Sequence, residues 1–370
     1  MANNQVANHK EEADGEAVID ATSIDDCSLG DKADEDSVTD YLLSVLALSG
    51  RSKFTDKQAE EEAKTLTQKE RVEACLDIYG NLARESKRSG IDIDTYTLSS
   101  LVAEMRAELG LIPDDEKEAL MATQMKAHPE EFQDGRLDTF LKCEGMNPKL
   151  AAKRFVQYWK NRRELFGEKY LIRMTIGEAL KDDLVALETG FYRLLPKLDV
   201  SGRPVIFCVP STHTREGYTS ESQLRAMWYV MEVAAKKNKA QRGFGSGVVF
   251  VMFWKSDTSL FDYDRKVWDG MKTFEENCWP IRTVSWHICC PPAFCNHIIK
   301  PVMMALKNRR SRARSLFHDV QENDIAEILS TFGIGKDVLP DEIPGGTVRF
   351  DQSLWIEHRK AIEASQTEKF

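Results

Sequence analysis

The 370-residue chain lacks several features that would assign its class at once. No run approaches the roughly twenty consecutive apolar residues of a membrane-spanning helix. YLLSVLALSG (41–50) is apolar, but it is short and follows acidic rather than basic residues. A basic-then-apolar leader is missing too, so secretion is not expected. Eight cysteines are too few for a disulfide scaffold in a chain of this size. They predict reduced thiols, buried as small hydrophobes in a cytosolic protein. There is no internal repeat.

Acid is absent from one stretch and concentrated in another. Residues 1–50 carry twelve Asp and Glu against two Lys, the same −10 as the whole chain. Residues 51–370 therefore balance, 48 basic against 48 acidic. The segment 1–52, with few large apolar residues, predicts a disordered acidic tail. Between Asn277 and His318 there is no Asp or Glu, while Arg282, Lys300, Lys307, Arg309, Arg310, Arg312 and Arg314 are present.

Hydrophobic periodicity organises the rest. Residues 53–88, punctuated by Leu66, Val72, Cys75, Leu76 and Ile78, predict a helix. Leu98, Leu101, Val102, Met105 and Leu109 share one helical face. Asn147-Pro148 is a cap followed by proline at the first helical position, opening a helix that carries Phe155, Val156 and Trp159 on one stripe. After Leu198 the pattern shortens. RPVIFCVPS (203–211), GVVFVMFW (247–254), TVSWHICC (283–290) and RSLFHDV (314–320) predict strands, separated by helices at 220–239, 262–277 and 293–308. Such alternation predicts an α/β domain with a mostly parallel sheet, GVVFVMFW being a central strand covered on both faces.

Signatures of catalysis fail one by one. The glycines of GFGSGVV (243–249) precede a strand rather than follow one, so they make a turn and not a dinucleotide loop. Ser246 has Phe244 and Val248 two residues before and after it, where a nucleophile elbow needs glycines. GIGKD (333–337) lacks the first glycine and the hydroxyl residue of a phosphate loop. Cys289, Cys290, Cys295 and His297 carry zinc-ligand atoms, but neighbours in a strand point to opposite faces, so buried thiols are the default. His213 and His287 have no nucleophile or carboxylate at a recognisable spacing, and His287 reads as a hydrogen-bonded core residue. Asp257, Asp262, Asp264 and Asp269 match no oxygen-ligand loop and read as the cap and first turn of the helix at 262–277. The expectation is no enzyme, no cofactor and no metal.

The acid-free stretch carries two further signals. Phe294, Ile298, Val302 and Leu306 step by four, with Cys295, Ile299 and Met303 stepping beside them. That wide apolar face is interrupted by Pro301, which inside a helix costs about 3 kcal/mol and makes a kink. A wide apolar face followed by a basic tract fits a helix that contacts lipid or covers a lipid-sized cavity, and an ordinary core helix fits the pattern equally well. Uncompensated arginines would attract phosphates. Few aromatics sit among them to stack on bases, so nucleic acid is not the expected partner.

Taken together, residues 130–350 resemble the CRAL-TRIO (Sec14-like) lipid-binding family. RLDTFLKCEGMNPKLAAKRFVQYWKNRRELFG (136–167), DVSGRPVIF (199–207), CWPIR (278–282), IKPVM (299–303) and VLPDEIPGG (338–346) carry the resemblance in order. It implies a helical N-terminal unit (53–170, family-like from about 96). A lipid-binding α/β domain (171–350) would follow, its mostly parallel sheet flooring an apolar pocket, and then a C-terminal helix or tail (351–370). It also implies a gating helix, here Pro292 to Asn308. Phosphatidylinositol-binding members have Pro-Glu-Arg where this chain has Pro280-Ile281-Arg282. Their phosphate-binding Ser and Thr align with Val248 and Phe250, and the Asp and Gly at that strand's end with Phe253 and Ser256. Only the basic residue opening the fourth strand is matched, by Arg314. These departures argue for a less polar ligand, or a phospholipid held differently.

The expected function is binding of one lipid, a phospholipid or a neutral isoprenoid-like molecule, with transfer or presentation at membranes. The alternative is a non-transferring phosphoinositide sensor or protein-binding scaffold. Val248, Phe250, Met252, Trp254 and Trp286 are the expected pocket wall, with Phe294, Ile298 and Val302 as the gate. Lys307, Arg309, Arg310, Arg312 and Arg314 are expected to dock an anionic membrane from the cytoplasm.

Overall fold

The structure is a computed structural model that describes residues 55–82, 95–126, 129–212, 216–238, 246–255, 264–291, 295 and 299–367. The expected acidic tail lies outside these residues.

Local chemistry sets most helix ends. Residues 53–88 do not form one helix, as the periodicity suggested. They contain α1 (Asp56–Lys64) and α2 (Gln68–Tyr79), and each opens on a capping box, Thr55 with Gln58 and Thr67 with Glu70. Two adjacent start signals interrupt what apolar spacing alone reads as continuous. Helix α2 stops at Gly80, whose φ of +54 suits glycine, and a Cβ there would lie 2.2 Å from Ser201 Oγ. Next come α3 (Thr95–Leu111), α4 (Glu118–Lys126) and α5 (Asp134–Cys143). Helix α6 (Pro148–Phe166) starts as its sequence requires, with the Asn147 side chain accepting from the Leu150 N–H.

A short helix, α7 (Leu184–Glu188), leads into a five-stranded sheet in the order β1 (Tyr192–Leu198), β2 (Pro204–Cys208), β3 (Val248–Phe253), β4 (Thr283–Cys289) and β5 (Ser315–His318). Strands β2 to β5 run parallel, as the alternating pattern predicted. Strand β1, which the strand pattern after Leu198 does not include, pairs antiparallel with β2 at the edge. Pro196 breaks its alternation, and the register shifts between Leu194 and Leu198, so it lacks the clean period of its neighbours. Lys237 Nζ donates to the Leu195 and Pro196 carbonyls there, at 2.6 and 2.7 Å, and satisfies an edge the ladder leaves open.

The crossovers are α8 (Ser220–Lys237), α9 (Arg265–Asn277), and the pair α10 (Lys300–Leu306) and α11 (Arg309–Arg312). Asp264 caps α9 as expected, accepting from the Val267 N–H at 3.2 Å. Of the predicted helix at 293–308, α10 is described. Pro301 sits in its first turn, and Cys295 and Ile299 just before it are π-helical, so the proline stands where the helical winding changes. Gly247 lets β3 approach β4 closely, since a Cβ there would lie 2.2 Å from the Arg282 carbonyl oxygen. Helix α12 (Ile325–Thr331) follows β5, and α13 (Gln352–Thr367) closes the described chain.

Every residue of β3 is buried, and alternation divides them between two cores. Val248, Phe250 and Met252 join Trp286 and Ile288 in a core that runs from α3 through α6, α8, α9 and α10 to Ile356 of α13. Val249, Val251 and Phe253 join Val205, Phe207, Cys289, α12 and Ile334 to Ile343 in a smaller core on the other face. Cys289 and Cys290 fall in different cores, as strand alternation required.

Candidate ligand-binding site

The N-terminal helices and the basic tract meet in a buried charge cluster. Asp77, at the end of α2 and fully buried, accepts from Arg314 Nε at 2.6 Å and from Arg282. Arg203 is held by the turn that contains it. Asp199 accepts from its N–H at 2.8 Å and from its Nε at 2.6 Å. The same guanidinium donates to the Asp77 carbonyl and, at 3.3 Å, to that of Ile78, so it satisfies acceptors that a helix end leaves free. Farther out, Arg312 forks onto Glu62 of α1 at 2.7 and 2.9 Å, and Arg309 reaches Glu70 at 3.2 Å and the Thr65 carbonyl at 2.9 Å. The reading of the tract as uncompensated charge is therefore corrected. Glu62, Glu70 and Asp77, far away in sequence, neutralise Arg312, Arg309 and Arg314.

Two cations of the tract are placed differently. Arg310 is exposed, and among the described residues no carboxylate pairs with it. Desolvation of its guanidinium, and then the charges of Arg282 and Arg314 beside it, lower its pKa. Lys307 lies 4.2 Å from the centroid of the Trp286 ring, and its Nζ reaches Ser311 Oγ at 3.4 Å. Burial outweighs the attraction of Glu275 and brings its pKa down to about 8.

Both cations border a cavity of about 140 Å³ between α9, the start of β4 and α10–α11. Its apolar wall is Trp268, Met271, Trp286, Met303 and Leu306. The polar wall includes Arg154, Glu275, Arg282, Thr283, Lys307 and Arg310. Glu275 Oε1 accepts from Trp286 Nε1 at 3.3 Å and from Ser311 Oγ at 3.4 Å. The Thr283 hydroxyl is buried and has no hydrogen-bond partner among the described residues, although it borders the cavity. A volume of this order holds a benzene-sized group, not a whole phospholipid. Arg154 and Glu276 are shared with an adjoining groove of about 880 Å³ along α6, which offers an extended molecule room to continue.

Of the expected pocket wall, Trp286 alone reaches this cavity. Val248, Phe250, Met252 and Trp254 are buried in the packed core, with Phe250 stacked on Trp286 at 4.2 Å between centroids. Val302 is buried in α10, while Phe294, Ile298, His213 and His297 lie outside the described residues. His287 is the hydrogen-bonded core histidine expected of it, its Nδ1 lying 3.0 Å from His318 Nε2. Burial lowers both imidazole pKa values, that of His318 to about 4. Trp268 and Met271 went unmarked in the sequence, although Val267, Trp268, Met271 and Phe274 form an apolar face of α9 at helical spacing.

Among the described residues no helix is long and apolar enough to cross a membrane. No curated protein matches the chain by sequence. Among solved structures, one described as "Crystal structure of Sfh5" is similar, at 12% identity over 72% of this chain and 95% of that one. Its TM-score of 0.39 marks a likeness too distant to bear on the site. The family model described as "CRAL/TRIO domain" matches residues 188–345, a span that contains the sheet and all of the cavity wall named above except Arg154. The helix-flanked, mostly parallel sheet found there agrees with that match, so residues 188–345 resemble a CRAL/TRIO domain in both sequence and fold, of a family that binds lipophilic ligands and is in general non-enzymatic.

Proposed function

We propose that the protein binds one lipophilic ligand in the cavity between α9, β4 and α10, and transfers or presents it at membranes. The observation that carries this reading is the pairing of chemistries around one void. Trp268, Met271, Trp286, Met303 and Leu306 offer an apolar wall, while the unpartnered Thr283 hydroxyl and the cations Lys307 and Arg310 suit an oxygen-bearing head. Each CH₂ buried contributes about 0.8 kcal/mol, so a chain of modest length binds without catalysis. An acyl tail longer than the cavity accepts would continue along the α6 groove. Docking on an anionic cytoplasmic membrane through Arg309 and Arg312 requires Glu70 and Glu62 to be displaced. Such docking is worth about 1 kcal/mol for each basic side chain near the surface.

Organic extraction of the purified protein, followed by mass spectrometry, tests the reading. A stoichiometric lipid is the expected result. Its absence after expression in a lipid-rich host, with no uptake from liposomes, overturns it. The small cavity beside Arg282, Arg310 and Arg314 favours a second reading, a non-transferring phosphoinositide sensor or protein-binding scaffold. Binding to phosphoinositide liposomes without movement of lipid between donor and acceptor vesicles would select it.

A further inference from the structure

Lys307 is out of place for a docking lysine. Its partners are a ring face and one long contact to a hydroxyl, and among the described residues no carboxylate pairs with it. Glu275 is linked to it through Ser311, since Ser311 Oγ lies 3.4 Å from Lys307 Nζ and 3.4 Å from Glu275 Oε1. Amine, hydroxyl and carboxylate thus stand in a row at the edge of a cavity whose other side is Trp268, Met271, Met303 and Leu306.

We infer that Lys307 is a covalent capture site for lipophilic aldehydes, which it binds as an imine in this cavity. The inference rests on the ligand cavity proposed above and names a chemical class that fits it. Imine formation needs an uncharged amine, a route for protons and a place from which water is excluded. The amine nitrogen adds to the carbonyl carbon, a C–N bond forms, and a proton passes from nitrogen to the former carbonyl oxygen to give a carbinolamine. The C–O bond then breaks, the second proton of the nitrogen leaves with the hydroxyl as water, and C=N remains, with no net oxidation or reduction. Ser311 and Glu275 are placed to relay the proton, and the apolar wall slows the return of water.

The charges around the amine agree. Asp269, Glu275 and Glu276 of α9 border the same cavity, but so do Lys272, Arg282, Arg310 and Arg314. Glu276 is occupied by Asn308, whose Nδ2 donates to it at 2.7 Å. A lysine titrating at about 8 holds roughly two orders of magnitude more neutral amine near pH 7 than an ordinary surface lysine.

The test uses the full chain, hexanal and cyanoborohydride near neutral pH, with the alkylated lysines mapped by peptide mass spectrometry. Lys307 is expected to be modified at least ~10-fold more than any other lysine, and Lys307→Arg to lose that adduct. Modification spread over lysines according to their exposure overturns the inference, and because the mapping is done on the unaltered chain, a poorly folded variant cannot mask that result. Binding of hexan-1-ol, followed by tryptophan fluorescence, separates the two ideas. Alcohol binding without a Lys307 adduct leaves the ligand cavity standing and sinks the imine. Loss of both sinks the cavity reading as well.

Discussion

The two faces of the sheet differ in how completely they are filled. On one side Phe207, Val251 and Phe253 press against α12 and Ile334, with Phe207 and Phe253 stacked at 6.2 Å between centroids. On the other, Val248, Phe250 and Met252 pack as tightly, but beyond Trp286 the layer gives way to a cavity. Both faces are read from the same strands, whose side chains simply alternate. The contrast shows that burial of a strand does not locate a pocket. The void lies one layer out, where Trp268 and Met271 of one helix fail to meet Met303 and Leu306 of another.

The largest expected effect comes from opening the sealed face. Phe207→Ala should cost about 3–5 kcal/mol in urea unfolding, because nothing nearby relaxes into the space. Met303→Ala should cost less, about 2 kcal/mol, since its side chain already borders empty volume. Equal losses would show that the cavity face is packed as tightly as the sealed one.

Acid should single out the sealed face. The His287–His318 pair lies there, and both groups stay neutral when folded. In the unfolded chain imidazoles take up protons below about pH 6.5, whereas folded His318 resists until about 4. Stability therefore falls as pH drops through that window, by about 2 kcal/mol between pH 6.5 and 5 for one such group. His318→Asn should flatten the slope of stability against pH, and an unchanged slope would refute the assignment.

Base should single out the cavity face, with the smallest effect. Folded Lys307 gives up its proton at about 8, while the unfolded side chain keeps it until about 10.5. The unfolded state binds the extra proton in between, so the strain of enclosing the ammonium is relieved as pH rises. Relative to Lys307→Met, the unaltered protein should gain about 1 kcal/mol between pH 8 and 9. The buried thiols, which resist ionisation when folded, also act in that window, but they are common to both proteins and cancel in the difference. A flat difference would leave Lys307 an ordinary surface amine.

Much of the scaffold was legible because its signals are local. The Asn147 cap, the Asp264 cap and the continuous apolar run of β3 each need only a few neighbouring residues to be read. The strand β1 was not, because Pro196 and a register shift erase its period and only pairing with β2 reveals it. The site was less legible than the fold. Trp286 was singled out, while Trp268 and Met271 looked like any amphipathic helix. The basic tract looked uncompensated because Glu62 lies 250 positions from Arg312, and Asp77 lies 237 from Arg314. No local pattern records such a pairing.

The sequence by itself determined the order of helices and parallel strands, their caps, the alternation that sends Cys289 and Cys290 to opposite cores, and the resemblance of residues 188–345 to one family. Those features follow from backbone geometry and from spacing along one element. The tertiary structure alone decided which arginines are neutralised, that Lys307 is enclosed against Trp286, and that the void lies between α9, β4 and α10 rather than over β3. Each of these depends on distances between elements far apart in the chain, and such distances are set only when the whole core closes.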